Sequence, residues 1–315
     1  MKIIIAGTGS ALPVRSVTND ELAKTVDTSD EWIRSRTGIG ARHIAGPEEE
    51  LDVLGAAAAE QALARAGISA EELGLIIYGT ATAGYVTPSA ACRVQARIGA
   101  VNAVCFDLNA ACSGFLYSMY TAESMMRMGR CRYALIIGGD MVTRYLNWED
   151  RSTCVLFGDA AGAAVLAATD AEDAGDILSF SMGSNGSKGA VLSCRTLPED
   201  HYLTMNGQEV FRFAVRTVPA CIRDALEKAG AEKEEVKYFI LHQANARIIE
   251  AAAKRLEMPL DRFPMNLPDT ANTSAGTIPV LLDQMNRDGR LQRGDLLVLS
   301  GFGGGLTWGA AVLRY

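Results

Sequence analysis

The stretch NAACSGF at 109–115 sets a thiol, Cys112, among small residues at the head of an apolar segment. Ala110, Ala111, Ser113 and Gly114 leave it open to a substrate carbonyl. The run that follows, FLYSMYTAESMMRM, predicts a mostly buried helix, which places Cys112 at a helix N-terminus. Unpaired amides and the positive end of the helix dipole favour a thiolate there, so a lowered pKa is expected. The chain has three histidines. His43 lies in a charged, glycine-flanked run and His201 in a polar one, and both are expected in surface or structural roles. His242 instead closes the apolar run YFIL at 238–241 and opens HQANARI, at a strand end where a loop or helix begins. Asn272, in DTANTSAG, can cap a helix or serve chemistry. A Cys, a His and an Asn are the polar groups used for acyl transfer through a thioester. GFGGGLTWG near the C-terminus holds Gly303, Gly304 and Gly305, which let an amide point into a site or simply make a tight turn between strands.

These residues fall into a chain that is written twice. ALARAG at 62–67 matches ALEKAG at 225–230, an offset of 163, and each precedes a Glu-Glu pair and an apolar strand. MMRMGR at 125–130 matches MNRDGR at 285–290, an offset of 160. GAAVL recurs at 162–166 and 309–313, an offset of 147, which puts extra residues in the first half between about 140 and 158. An offset of 160 carries Cys112 onto Asn272, and an offset of 163 carries the strand at 75–78 onto the residue before His242. Short β-rich runs alternate with alanine-rich helical stretches at 52–66 and 244–256. That alternation predicts α/β layers with largely parallel, buried strands, in two similar units at 1–170 and 171–315 fused into one body. The glycine-rich segment around 181–200 reads as loops or short strands bridging them.

Composition narrows the class. The 315 residues are 49% hydrophobic with a net charge of −7, a poor balance for a general nucleic-acid binder. MKIIIAGTGSALP is too short and too interrupted for a signal sequence and reads as a strand. No apolar run approaches the roughly 18 residues of a membrane span. Cysteines at 92, 105, 112, 131, 154, 194 and 221 form no CxxC pair, so a reduced, cytosolic chain without disulfides or zinc is expected. Apart from Cys112 they read as small buried hydrophobes. AGTGSAL lacks the third glycine of a dinucleotide fingerprint and runs into Pro13, which excludes that reading.

Taken together, NAACSGF, ILHQANARI, NTSAG, FGDAAGAAVL and GFGGGLTWG, with DTSDEWIRSRTGI at 27–39 and EDRST at 149–153, resemble the thiolase-like condensing enzymes, and most closely the β-ketoacyl-acyl-carrier-protein synthase III family. The resemblance implies a five-layered α-β-α-β-α fold from duplicated halves, a homodimer, and the initiating Claisen condensation of type II fatty-acid synthesis. It implies that Cys112 carries the acyl group and that His242 and Asn272 serve the malonyl site. Trp32 and Arg151 would clasp the adenine of coenzyme A beside Thr28, Arg36 would lie near its phosphates and Asn245 near the pantetheine arm, with Gly207 also among the residues that bind it. Phe157 and Thr87 would border the acyl pocket. Thr87 stands where an aromatic residue is common, supplied by the partner subunit, and Ser152 stands where glycine is common beside the arginine.

The implied reaction is a ping-pong condensation. Cys112 attacks an acyl-CoA, the amides of Cys112 and Gly304 hold the oxyanion, and malonyl-acyl-carrier protein then decarboxylates to an enolate that attacks the acyl-cysteine. Neutral His242 and Asn272 donate to the enolate oxygen. Acyl-CoA is a substrate and no metal or redox cofactor is needed. Docking of an acidic carrier protein on this acidic chain calls for a local basic patch. The segment Gln243-Ala244-Asn245-Ala246-Arg247 opens such a patch: a helix running on from it places Arg247, Lys254 and Arg255 on one face, and Arg212 can join them. The alternatives are a priming synthase of polyketide or signal-molecule biosynthesis, and a non-catalytic acyl-CoA-binding protein.

Overall fold

A computed structural model describes residues 1–196 and 202–315; His201 lies outside them. Two sheets form the frame. The first contains β1 (Lys2–Ala11), β2 (Leu75–Gly79), β3 (Val104–Leu108), β4 (Tyr133–Asp140) and β5 (Ala160–Thr169), in the order β3–β2–β4–β5–β1. The second contains β6 (Asp176–Ser184), β7 (Tyr238–Leu241), β8 (Leu296–Gly303) and β9 (Thr307–Arg314), in the order β7–β8–β9–β6. The segment around 181–200 holds the end of β6 and the two-residue strand Leu192–Ser193, which pairs with Thr204–Met205.

The sheets repeat each other in order and in sense. β2 is parallel to β4 as β7 is to β8, while β5 and β9 return antiparallel and β1 and β6 pair antiparallel beyond them. Only β3 has no counterpart. The strands are therefore mixed and not largely parallel. A parallel neighbour needs a long crossover, which helices supply after β2 and β7. No long helix intervenes between β4 and β5, and only the turn 304–306 separates β8 from β9. The first of these links, 141–159, is the extra length that the shrinking repeat offset places in the first half.

The helices fill three layers. α1 (Asp30–Thr37) lies apart from the sheets' inner faces, near the mouth of the site. α2 (Leu51–Ala66) and α3 (Ala90–Ile98) cover the outer face of the first sheet. α2 is alanine-rich along its buried face and stops at Gly67, whose left-handed backbone (φ 68°) suits glycine. α4 (Gly114–Arg127) and α7 (Thr277–Arg287) lie between the sheets and touch strands of both. α5 (Gly207–Ala229) and α6 (Ala246–Leu256) cover the second sheet. The result is five layers, with one apolar core between each sheet and its outer helices and a third around α4 and α7.

The central layer sits tightly on the first sheet. A Cβ on Gly138 of β4 would lie 2.3 Å from the Ala275 carbonyl oxygen, just before α7. Overpacking of this kind costs on the order of 1–3 kcal/mol. Gly138→Ala should therefore lower the melting temperature by several degrees, whereas Gly186→Ala, with open space around it, should not. Thermal unfolding of the two variants checks this, and equal melting points would deny that the backbone contact at Gly138 is tight.

Candidate active site

Two matching turns build the site. The turn Ala111–Ser113 precedes α4, and Ser274–Gly276 precedes α7. Ala111 (φ 47°) and Ser274 (φ 53°) are both left-handed, an uncommon state for residues with a Cβ. In each turn an asparagine two residues earlier accepts from that residue's amide: Asn109 Oδ1 from Ala111 at 3.2 Å, and Asn272 Oδ1 from Ser274 at 2.9 Å. The structural partner of Asn272 is thus Asn109, and that of Cys112 is Ala275. The offset of 160 misaligns Cys112, because α7 is three residues shorter than α4 and that offset holds only beyond the helices' C-terminal ends.

Cys112, His242 and Asn272 nevertheless line one cavity of about 190 Å³. His242 leaves the end of β7, where its amide donates to the Ser300 carbonyl at 2.8 Å. Its ring meets Phe302 edge-on, with centroids 5.3 Å apart. His242 Nδ1 lies 2.6 Å from Thr277 Oγ1. The contact orients the ring, and the Thr277 hydroxyl also lies 3.1 Å from the Ser274 carbonyl, to which it donates. Asn272 is fixed likewise. Its Oδ1 is taken by Ser274, which leaves its Nδ2 as the free donor. An imidazole and a free amide donor therefore belong to the cavity that holds the thiol.

Burial sets the protonation states. It pushes the His242 pKa down to about 3, so the ring is neutral at physiological pH. It also pushes the Cys112 thiol up to about 12, against the pull of a hydrogen bond from Ser274, and nearby Asp140 opposes the thiolate further. The lowered pKa expected from the helix terminus is not found. The dipole is a surface-strength effect, and desolvation of the buried sulfur outweighs it.

Two spaces meet at Cys112. The 190 Å³ cavity also takes in Ser152, Phe157, Gly207, Ala244, Asn245 and Phe302, and from Gly207 and Asn245 it opens into a shallow depression rimmed by Arg36 and Arg247. On the other side lies a space of about 490 Å³ bordered by Phe157, Asp140, Tyr145, Leu192 and Gly304. Phe157 and Cys112 thus separate the two. Gly303 packs so closely that a Cβ there would lie 2.7 Å from the Cys112 amide. The tight turn and the lining role expected of the glycine run coexist.

Other expected residues scatter around the mouth. Trp32 is half-buried on α1 between two guanidinium groups, Arg36 at 4.6 Å and Arg151 at 5.5 Å from its ring. Arg151 is held by Asp27 through its backbone and its carboxylate. A base sandwiched between Trp32 and Arg151 needs about 7 Å, two van der Waals gaps, so Arg151 must move outward to admit one. Thr28 Oγ1 is buried there without a partner among the described residues. Arg247 donates to the Ser35 carbonyl at 2.9 Å and stands at the depression, while Lys254 and Arg255 are exposed at the far end of α6. Arg212 is paired with Glu209 on its own helix and borders a separate cleft. Gln243, assigned to the docking segment by sequence, is fully buried. It donates to the Leu241 carbonyl and accepts from the Asn266 amide, which is a structural role. Ala244 and Ala246 are half-buried. Thr87 is exposed and lines neither space of its own chain. His43 is structural, with Nδ1 2.6 Å from the Pro13 carbonyl.

Sequence reasoning overlooked Ser274, Thr277 and Asp140. Aligning NAACSG with NTSAGT directly would have drawn attention to Ser274 and Thr277. Asp140, closing an apolar strand, carried the signal of an acid with no charged neighbour in sequence.

The model of 3-oxoacyl-(acyl-carrier-protein) synthase III matches residues 106–186, and that of its C-terminal part matches residues 226–315. The chain is similar to a β-ketoacyl-acyl-carrier-protein synthase III of Sphingopyxis alaskensis, 47% identical over 99% of both chains. Among solved structures it resembles the 3-oxoacyl-(acyl-carrier-protein) synthase III of Aquifex aeolicus, with a TM-score of 0.96 and 45% identity over 99% of this chain and 100% of that one. It also resembles the priming β-ketosynthase of the R1128 polyketide pathway, with a TM-score of 0.94 and 34% identity over 99% of this chain and 96% of that one. Full-length identity at this level and the duplicated five-layer fold agree: the chain belongs to the 3-oxoacyl-(acyl-carrier-protein) synthase III family and has its thiolase-like architecture.

Proposed function

We propose that the chain starts fatty-acid chains by decarboxylative condensation of an acyl-CoA primer with malonyl-acyl-carrier protein, through an acyl group on Cys112. The observation that carries this is one buried thiol sharing a cavity with the neutral imidazole of His242 and the amide of Asn272. Cys112 takes the acyl group and lodges it in the 490 Å³ space; the Cys112 and Gly304 amides hold the oxyanion. Loss of CO2 from the malonyl group leaves an enolate, whose oxygen needs donors, and His242 and Asn272 Nδ2 supply them. The acyl-cysteine then receives the carbanion and releases a 3-oxoacyl-carrier protein. Units 1–170 and 171–315 divide the labour, the first giving the nucleophile and the second the donors. The higher identity to fatty-acid synthases than to the polyketide priming enzyme favours this over the alternative acceptor. Among the described residues no His, Cys, Asp or Glu cluster could hold a metal ion, and no helix is long and apolar enough to cross a membrane.

Each group has its own step. Cys112→Ala should take no label from acetyl-CoA and form no product. His242→Ala and Asn272→Ala should acylate normally yet lose condensation by about 10²-fold or more, as removal of an oxyanion donor does. Intact-protein mass spectrometry reads the first step and carrier-product formation the second; full condensation by Asn272→Ala would leave that residue as a turn-former only.

The primer follows from the space beyond Cys112. At about 490 Å³ it falls in the range of pockets for whole small molecules and far exceeds a methyl group. We propose a homodimer in which Thr87, on its exposed loop, closes the partner's acyl space. Primers longer or more branched than acetyl should be used, each buried methylene contributing up to about 0.8 kcal/mol. Thr87→Phe should shift preference to acetyl-CoA, and light scattering should give twice the chain mass of 33.6 kDa. An enzyme restricted to acetyl-CoA would refute the open pocket.

The carrier protein is acidic and this chain carries −7, so a local cation must guide it. Arg247, at the depression that opens towards Cys112, is the foremost of these, with Lys254 and Arg255 along the same helix. Arg247→Glu should slow carrier-dependent condensation at low salt and spare acylation by acyl-CoA. Unchanged carrier kinetics in that variant would move docking elsewhere.

A further inference from the structure

The cleft that Arg212 borders has no part in the condensation. Its volume is about 440 Å³, within the range of pockets that take whole small molecules. It shares no lining residue with the two spaces at Cys112 or with the depression at Arg247. One wall is a single face of α5, where Glu209, Arg212, Phe213 and Arg216 recur at helical spacing. The rest comes from the chain just after β6 and from Leu306 and Trp308 at the start of β9. The floor is apolar and preset. Trp308 pairs with Gly183 of β6, and a Cβ on that glycine would lie 2.4 Å from the indole. Phe213 meets the indole edge-on, with centroids 5.7 Å apart. Both rings are only half-buried, so each keeps an open surface. Asn185 and Leu306 exchange backbone hydrogen bonds at 2.7 and 3.0 Å, which ties the two sides of the floor together.

The rim is cationic, on a chain whose net charge is −7. Lys188, Arg212 and Arg216 stand there against one carboxylate, Glu209. Glu209 is already shared, with Arg212 at 2.6 Å and Lys188 at 3.6 Å. Arg216 is exposed and has no hydrogen bond or ion pair among the described residues. An unpaired guanidinium offers two parallel N–H donors to a carboxylate, and aromatic floors take flat apolar bodies. We infer that this cleft binds a small aromatic carboxylate, with its carboxylate on Arg216 and its ring against Trp308 and Phe213. The acidic face of a folded partner meets the same rim less well, because carboxylates on an outward-curving surface leave the indole bare. The occupant is not a reactant, since nothing in the cleft reaches Cys112.

The test is titration calorimetry of the whole protein with naphthoate and, in parallel, with the neutral naphthamide of the same shape. Excess coenzyme A is present throughout, so that the clasp expected at Trp32 is occupied. Naphthoate should bind at least about tenfold more tightly than naphthamide. Arg216→Glu should weaken it at least about tenfold, and Arg216→Lys less, since an ammonium keeps the charge and loses the planar fork. Arg130→Glu, the same charge reversal at an exposed turn outside these cavities, should leave binding unchanged. Naphthoate should quench tryptophan emission, and Trp308→Phe should lose most of that quenching although Trp32 and Trp148 remain. Equal affinity for the amide, equal loss in Arg216→Glu and Arg130→Glu, or full quenching in Trp308→Phe overturns the site. Unchanged naphthoate binding in an Arg216→Glu protein that instead slows carrier-dependent condensation gives the cleft to the carrier protein and overturns it as well.

Discussion

The site depends on backbone touching backbone. Two left-handed turns, at Ala111 and Ser274, are pressed into the seam between the sheets, where Gly138 meets Ala275 and Gly303 meets the Cys112 amide. No side chain separates them. Because a backbone amide of each turn also donates a hydrogen bond to its asparagine, the position of the thiol and the orientation of Asn272 follow from one packing arrangement. The left-handed backbone at two residues with a Cβ is kept in place by its surroundings, as strained residues at functional sites are.

Duplication followed by specialisation explains which half supplies what. Equivalent positions carry Cys112 and Ala275, Gly79 and His242, and Asp140 and Gly303. Each reactive group thus faces a small residue on the other side of the pseudo-symmetry, and the small partner makes room for it. A symmetric pair of cysteines or histidines could not fit the same seam. Dryness then does the electrical tuning: the same burial that keeps the imidazole neutral keeps the thiol protonated.

Much of this was legible in the chain. Three repeats in one order reveal the duplicated unit, and their shrinking offset locates the long link after β4. His242 at a strand end and Cys112 before a helix follow from local pattern. The mixed sense of the sheets does not, because apolar runs look alike in parallel and antiparallel pairs. The register between Cys112 and its counterpart was hidden by one missing helical turn in α7. Gln243 falls in the segment expected to dock the carrier protein, yet its amide satisfies buried backbone. The thiol pKa is a matter of burial, which a helix-terminus argument does not see.

Sheet edges offer a last consequence. β1 has its outward carbonyls covered by Arg293, Arg65 and Gln61. β6 is covered by Arg127, Cys221 and Tyr117, and Arg262 reaches the carbonyls at 234 and 236 just before β7. β3 is covered more lightly: the Cys92 thiol lies 3.9 Å from the Cys105 carbonyl, Gln95 reaches the Ala103 carbonyl just before the strand, and Val104 at its start is 61% exposed. A sheet held along one edge by long side chains and only lightly covered at the other can join strand to strand at that second edge alone. Association through it closes at two copies and cannot propagate into a fibre.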